Sequence, residues 1–397
     1  MDDLLFLAHR IPYPPRKGDK IRSYHLLRHL SRRYRVHLGA FVDDGADAVH
    51  AAPLVELCAG ETRFVRLHPL VCRLRALWGL AAGRSLTLPC YASRAMRSWT
   101  EEILRRYRVC RIVVYSAAPA QFVPANLDPA IRRVIDFVDV DSSKWAQYAE
   151  GRRGLARWIY RREARTLLDE ERRIAAAFDA SLFVSEPEAA LFKGLAPEVA
   201  GKVDFWENGV DTDYFSPERD YPNPYEPDDL PLVFTGAMDY WANVDAVTWF
   251  AREVFPQVLA VSPRARFVIV GGRPNREVLA LRSLVGITVT GQVEDVRPWL
   301  YWAKAAVAPL RIAQGIQNKV LEAMAMARPV LATPKAMEGV RVPLALRRFV
   351  AEEPAALVGM AVILLAGNED GRPYREAVCA HHDWQVNLEK AARVVAG

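Results

Sequence analysis

Short apolar segments alternate with helical ones in two separate series along the chain, and this restricts the fold more than any other feature. In the second half LVFTG (232–236), RFVIVGG (266–272), ITVTG (287–291), Lys304–Leu310 and Pro329–Thr333 read as strands, with Arg347–Ala351 expected as the last. Helices are expected from about Val244 to Val261, after Asn275, over 295–302 and over Asn318–Ala327. In the first half the strands are 2–8, Val36–Val42, 62–67, 111–117, 133–138 and 180–184. Asp19 reads as the cap of a helix with Ile21, Tyr24, Leu27 and Leu30 as its core stripe. Such alternation requires crossover connections. It therefore implies mostly parallel sheets covered by helices, with ligands bound outside the carboxyl ends of the strands.

A length of 397 residues fits two domains. The proline- and acid-rich residues 218–231 read as an exposed connector, and Asn208-Gly209 as a tight turn. Cys58, Cys72, Cys90, Cys110 and Cys379 show no metal-type spacing and read as reduced core thiols of a cytoplasmic protein. MDDLLFLAHR reads as a first strand and not a leader, and the longest apolar run, Ala355–Gly367, as a buried helix too short to span a bilayer. A net charge of +6 without a nucleic-acid motif fits phosphate-bearing small molecules or an anionic membrane face. Around Gly151 and Gly154, residues 144–177 mix arginines with Trp145, Trp158 and Tyr160. That pattern suits a helix lying on anionic lipid, or a solvated helix laced by pairs such as Asp169–Arg173.

The chemistry concentrates in 304–333, KAAVAPLRIAQGIQNKVLEAMAMARPVLAT. A helix that starts just after a glycine loop presents unpaired N–H groups to an anion. Asn318, Lys319 and Glu322 share its first turn: the lysine suits a phosphate and the glutamate a ribose, or the two form an ordinary surface pair. Near the N-terminus, Arg16, Lys17 and Gly18 crowd one turn where backbone can approach a bound group. Asp139-Val140-Asp141 follows a strand end beyond Ser116, and reads as a divalent-cation pair or a helix cap.

KVLEAMAMARPVLAT and ENGVDTDYFSP (207–217), in this order, resemble the signatures of family 4 glycosyltransferases of the two-domain GT-B type. VSEPEAALF (184–192) resembles that family's serine-glutamate turn. GAMDYWAN, PLR and KVLEAMA, with AHRIPYPPRKGDKIRSYHLLRHL, resemble the sugar transferases associated with exosortase-linked exopolysaccharide loci. Two departures stand out. Gln314 occupies the place of the family's first acid, and the segment after LVFTG lacks the family's arginine and lysine.

The resemblance implies two Rossmann-like, doubly wound α/β domains: 1–207 on the acceptor side and 208–372 binding the donor, with a helix at about 373–397 crossing back to the first. It implies retaining transfer of a hexosyl unit from a UDP- or GDP-sugar to a saccharide or lipid-linked acceptor, without a cofactor or metal. Lys319, Arg311, Asp139 and Asp141 become the candidate catalytic residues, the first two stabilising the departing diphosphate. Gln314, Gly315, Ile316, Asn318, Lys319, Glu322, Gly236 and Arg273 become the candidate donor site, and Arg16, Lys17 and Gly18 the acceptor and phosphate loop. A cytoplasmic enzyme, peripheral on the inner membrane face, is expected. The alternatives are a nucleotide-sugar 2-epimerase on the same fold and a non-catalytic nucleotide-sugar scaffold of a membrane assembly.

Overall fold

The computed structural model describes residues 1–15, 18–43, 51–313 and 315–397. The chain divides into two units, Met1–Glu207 with Leu388–Gly397, and Asn208–Asn387. The first is built on β1 (Asp2–Ala8), β2 (Tyr34–Val42), β3 (Ala59–Arg66), β4 (Val109–Tyr115), β5 (Arg132–Val138), β6 (Ala180–Phe183) and β7 (Val203–Phe205). All pairings are parallel, in the order β3-β2-β1-β4-β5-β6-β7. The second carries β8 (Leu230–Thr235), β9 (Ala265–Val270), β10 (Ile287–Gly291), β11 (Ala305–Ala308) and β12 (Val330–Ala332), again all parallel, in the order β10-β9-β8-β11-β12. Central strands buried on both faces have no polar side to alternate with. Leu4–Ala8 and Leu232–Phe234 are accordingly unbroken and fully enclosed. In each unit the winding direction reverses at the first strand, beside β4 in one sheet and β11 in the other. These reversals open the crevices where α/β sheets bind ligands.

One buried cluster ties the first unit together. Arg22, on the helix Gly18–Leu30, is fully enclosed and donates through Nε (2.9 Å) and Nη2 (3.2 Å) to the two carboxylate oxygens of Asp136 on β5. It also donates to the carbonyls of Trp206 (2.9 Å) and Phe183 (3.3 Å), and its guanidinium lies 3.6 Å from the centre of the Trp206 ring. Asp136 accepts further bonds from Trp206 Nε1 (2.9 Å) and Val138 N (3.1 Å). Burial pushes the Asp136 carboxyl up, opposed by the Arg22 guanidinium and by the indole. Val138 has φ of 74°, a genuine outlier for a β-branched residue, and its N–H is held in that turn by Asp136.

The returning tail is stitched to the same unit by Arg111 Nη2 to the Ala396 carbonyl (2.8 Å), Arg132 Nε to that of Val394 (2.8 Å), and Arg33 to Glu389 (2.8 Å).

Several local expectations change. The helix starts at Gly18, so Asp19 falls in its first turn, and its buried residues are Lys20, Arg22, Ser23, Leu26, Leu27, His29 and Leu30, with Arg22 drawn inward by the ion pair. Arg347–Ala351 is no strand. A tight turn over Leu344–Arg347 leaves only the isolated bridge of Val350 to Ala332. Cys72 and Cys90 form a disulfide, leaving Cys58, Cys110 and Cys379 as thiols. Gly209 does not sit at positive φ. It is needed because a Cβ there would lie 2.8 Å from the His382 carbonyl and the Trp384 nitrogen, where Val210 pairs with Asp383. The connector is anchored: Tyr225 donates to the Trp299 carbonyl (2.6 Å), and Asp228 and Asp229 pair with Arg264 and Arg266. Arg173 pairs with Glu170 and not Asp169. The helix Pro354–Ala366 buries one face only, with Ile363 exposed. Among the described residues no helix is long and apolar enough to cross a membrane.

Asp136→Ala strands an enclosed guanidinium and releases the Val138 turn, so it should cost about 3–5 kcal/mol of unfolding free energy in a urea titration. A loss below about 1 kcal/mol would show that the cluster is not the tie assigned to it.

Candidate functional site

In the second unit three strand ends and one helix converge. Beyond β8 and β9 the backbone continues to pair, Gly236 N to the Val270 carbonyl (3.0 Å), Gly271 N to that of Gly291 (3.0 Å) and Met238 N to that of Gly272 (2.9 Å). A Cβ on Gly271 would stand 1.6 Å from the Gly236 carbonyl oxygen, and one on Gly236 would stand 3.2 Å from Lys319 Nζ. Both glycines therefore let backbone pack where a side chain would collide, at the crevice beside β8 and β11.

Lys319 reaches this edge from the helix Asn318–Ala325. Its ammonium donates to Asn243 Oδ1 (2.5 Å) and lies 4.1 Å from the centre of the Phe234 ring. Asn243 is itself oriented by Nδ2 donating to the Ala237 carbonyl (2.9 Å). Burial pushes the Lys319 ammonium down to about 7, opposed by Glu322, and pushes the Glu322 carboxyl up to about 7, opposed by Lys319. No described residue donates a hydrogen bond to the Glu322 carboxylate, and the buried Oδ1 of Asn318 is likewise unpartnered. The Gln317 carbonyl accepts from Val320 N (3.0 Å), the first rung of the helix ladder, which the N–H groups of Asn318 and Lys319 precede. A cation that titrates near neutrality, a carboxylate that accepts no bond from a described residue and a helix start suit a ligand with a diphosphate at one end and hydroxyls at the other.

The other expected donor residues are placed differently. Arg311 is bound to Asp245 through both Nε and Nη2, half-exposed and 5.5 Å from the Trp249 ring centre, so its charge is already matched. Arg273 pairs with Asp239 (3.2 Å) at the surface. Gly315 takes φ of 67° in open space, and Ile316 packs over Gly339. Gln314, Arg16 and Lys17 lie outside the described residues; Gly18 begins a helix.

In the first unit a cavity of about 190 Å³ opens at the carboxyl ends of β1, β4 and β5, where His9, Ser116 and Asp139 stand. Asp139 (2.6 Å) and Asp141 (3.3 Å) both receive Lys144 Nζ, and their charges hold that ammonium well above its usual range in spite of burial. The two carboxylates are thus joined through a lysine. Among the described residues no group of histidine, cysteine, aspartate or glutamate is arranged to hold a metal. Ser116 (φ 67°) and Val138 (φ 74°) give this cavity a strained rim, a feature concentrated at functional sites.

Sequence reasoning missed Asn243, Gly271 and Tyr214. Asn243 stands at the end of GAMDYWAN, where the spacing from Gly236 was the available signal. Tyr214 belongs to ENGVDTDYF and lies in the field of Glu322 under the Arg297 guanidinium (3.9 Å from its ring centre). Arg375 joins that motif to the helix Asn318–Ala325, donating to the carbonyls of Phe215 (2.9 Å) and Ala325 (2.6 Å).

Gly271→Ala should destabilise the second unit by about 3 kcal/mol or prevent its folding, whereas Gly315→Ala, strained but unobstructed, should cost about 1 kcal/mol by thermal unfolding. Equal losses would mean that the approach of Gly271 to Gly236 is unimportant.

Residues 230–366 match the family model described as Glycosyl transferases group 1. None of the curated proteins matches the sequence. Similar solved structures include Alr3699/HepE of Anabaena in complex with UDP and glucose, at 13% identity and TM-score 0.63 over 100% of both chains. They also include WaaG, a glycosyltransferase involved in lipopolysaccharide biosynthesis, at 15% identity and TM-score 0.64 over 99% of this chain and 100% of that one. A third is the E. coli trehalose-6-phosphate structure bound with UDP-2-fluoro glucose, at 12% identity and TM-score 0.60 over 99% of each. The chain has the two-domain fold of GT-B glycosyltransferases, and its second unit is matched by the glycosyl transferases group 1 model.

Proposed function

We propose that the protein is a retaining glycosyltransferase that moves a hexosyl unit from a nucleotide diphosphate sugar to a saccharide or lipid-linked saccharide, without a metal. The observation that carries this is the Lys319–Glu322 pair at the β8/β11 crevice, with its free carboxylate and helix amides, inside the segment matched by the glycosyltransferase model. Lys319 and the amides of the helix start meet the diphosphate and stabilise it as it departs, and Glu322 accepts the ribose hydroxyls. Asn243 holds the lysine in place. Arg311 joins only by leaving Asp245. UDP ranks ahead of GDP as donor nucleotide, because the similar HepE and E. coli structures hold UDP or a UDP-sugar. The motifs GAMDYWAN and KVLEAMA support a role in exopolysaccharide assembly. The acceptor is assigned to the cavity of the first unit, with Asp139 or Asp141 facing its hydroxyl.

Calorimetry of UDP and GDP, with and without Mg²⁺, tests the donor site. UDP should bind the wild type independently of metal and lose about 100-fold or more in affinity in Lys319→Ala, the scale of a buried charge-assisted contact. Binding that needs Mg²⁺ and ignores the substitution would move the nucleotide away from this helix.

The pair also sets a pH dependence. As pH rises through about 7, Lys319 loses its proton and Glu322 gains its charge. Loss of the Lys319 charge weakens the hold on a diphosphate, so affinity should fall by up to roughly tenfold per pH unit above neutrality, with uptake of one proton on binding. Titrations at pH 6.5 to 8.5 in buffers of different ionisation enthalpy measure both effects. Lys319→Arg should flatten the profile, and an equally flat wild-type profile would remove Lys319 from the phosphate.

A further inference from the structure

The helix Pro69–Ala81 is amphipathic in the reverse sense for a soluble domain. Leu70 (73% exposed), Leu74 (68%), Leu77 (62%) and Trp78 (58%) recur at i, i+4, i+7 and i+8 and point to solvent as one ridge. Its inward face is small or polar. Cys72 is bonded to Cys90, Arg75 donates to the Ala92 carbonyl, and a Cβ on Gly79 would meet the Ser85 carbonyl at 2.6 Å. The apolar face is thus not left over from core packing; the helix is attached by its other side.

A second element extends the ridge. On the helix Gly154–Ala177, Arg162 donates to the carbonyls of Arg84 (2.9 Å) and Leu80 (3.2 Å). Glu163 accepts from Leu86 N (2.6 Å) and Thr87 N (3.1 Å). Leu155 and Trp158 precede Arg162 by seven and four positions, share its face, and are exposed.

The charge is one-sided. Residues 62–100 hold seven arginines and no acidic residue, and 151–162 hold five and none. A cavity bordering the ridge is lined by Arg66, His68, Arg75 and Arg94 beside Val65 and Val71. Exposed leucine and tryptophan with unmatched arginine is the composition of an element lying in the headgroup layer of an anionic bilayer. The same arginines oppose self-association, since a second copy would bring like charge to like charge.

We propose that the first unit docks on anionic phospholipid, with Leu70, Leu74, Leu77 and Trp78 entering the interface and the surrounding arginines meeting headgroups. This goes beyond the transferase reading and stands independently of it. The docking helix is Pro69–Ala81, with the arginine-rich helix as its flank.

The test is co-sedimentation of the full chain with vesicles of phosphatidylcholine alone or with phosphatidylglycerol added. Binding should rise by about fivefold for each arginine engaged on going to anionic vesicles, and fall as salt is raised. Leu74→Glu with Leu77→Glu should reduce binding by about 100-fold, the effect of withdrawing two leucines from the interface, whereas Leu191→Glu, on another exposed helix, should leave it unchanged. Circular dichroism and thermal unfolding establish that the variants fold, as expected for solvent-facing positions. Equal binding to both vesicle types, or undiminished binding by the double variant, would overturn the proposal. So would light scattering that finds a wild-type dimer converted to monomer by the same pair of substitutions, which would make the ridge an interface between copies.

Discussion

The ion pair between Arg22 and Asp136 organises the first unit. It spans 114 positions of sequence and is entirely enclosed. Such a pair is costly unless every donor and acceptor finds a partner, and here the guanidinium meets a carboxylate, two carbonyls and an indole face. The four bonds accepted by Asp136 place the helix Gly18–Leu30, the end of β5 and the segment after β7 in fixed relation, and Arg22 adds the end of β6 through the Phe183 carbonyl. Through Val138 they also hold the strained turn that forms part of the cavity rim. A purely apolar contact would stabilise the same packing but would not dictate one orientation of that turn.

The second unit solves a related problem with the opposite means. There the strand ends are brought together by removing side chains, at Gly236 and Gly271, and the space gained admits one lysine. Asn243 and Phe234 hold that lysine by a hydrogen bond and an aromatic face, without a buried carboxylate bonded to it. The lysine therefore remains available to an arriving anion.

Much of this architecture was legible in the residues. Continuous apolar runs identified nearly every strand, and Ser185 and Asn275 do cap the helices they precede, accepting from Glu188 N and Val278 N. The grouping of Lys319 with Glu322 followed from helix geometry alone. What escaped was pairing at long range. Periodicity assigned Ile21 and Tyr24 to the core because it cannot foresee that Asp136 would draw Arg22 inside. Asp245 claims Arg311, and Cys90 claims Cys72, for the same reason: neither partner is marked by local spacing. Gly209 looked like turn chemistry, whereas it is required by the backbone of His382 to Trp384, which no nearby residue announces. β7, three residues long, was too short to register as a strand at all.

Lys319 and Glu322, pushed in opposite directions by burial and each opposed by the other, bear on the charge the second unit must carry as it folds. Near neutral pH a lysine and a glutamate with matched proton affinities can be charged or neutral together at little difference in free energy. In either form the pair carries no net charge, and the second unit folds without stranding a permanent charge there. The pair also offers little to a small inorganic anion, which meets the lysine but leaves the carboxylate opposing it. On the proposed reading, a ligand that brings hydroxyls for the glutamate together with negative charge for the lysine engages both halves, and discrimination comes from the pair and not from the strength of either group.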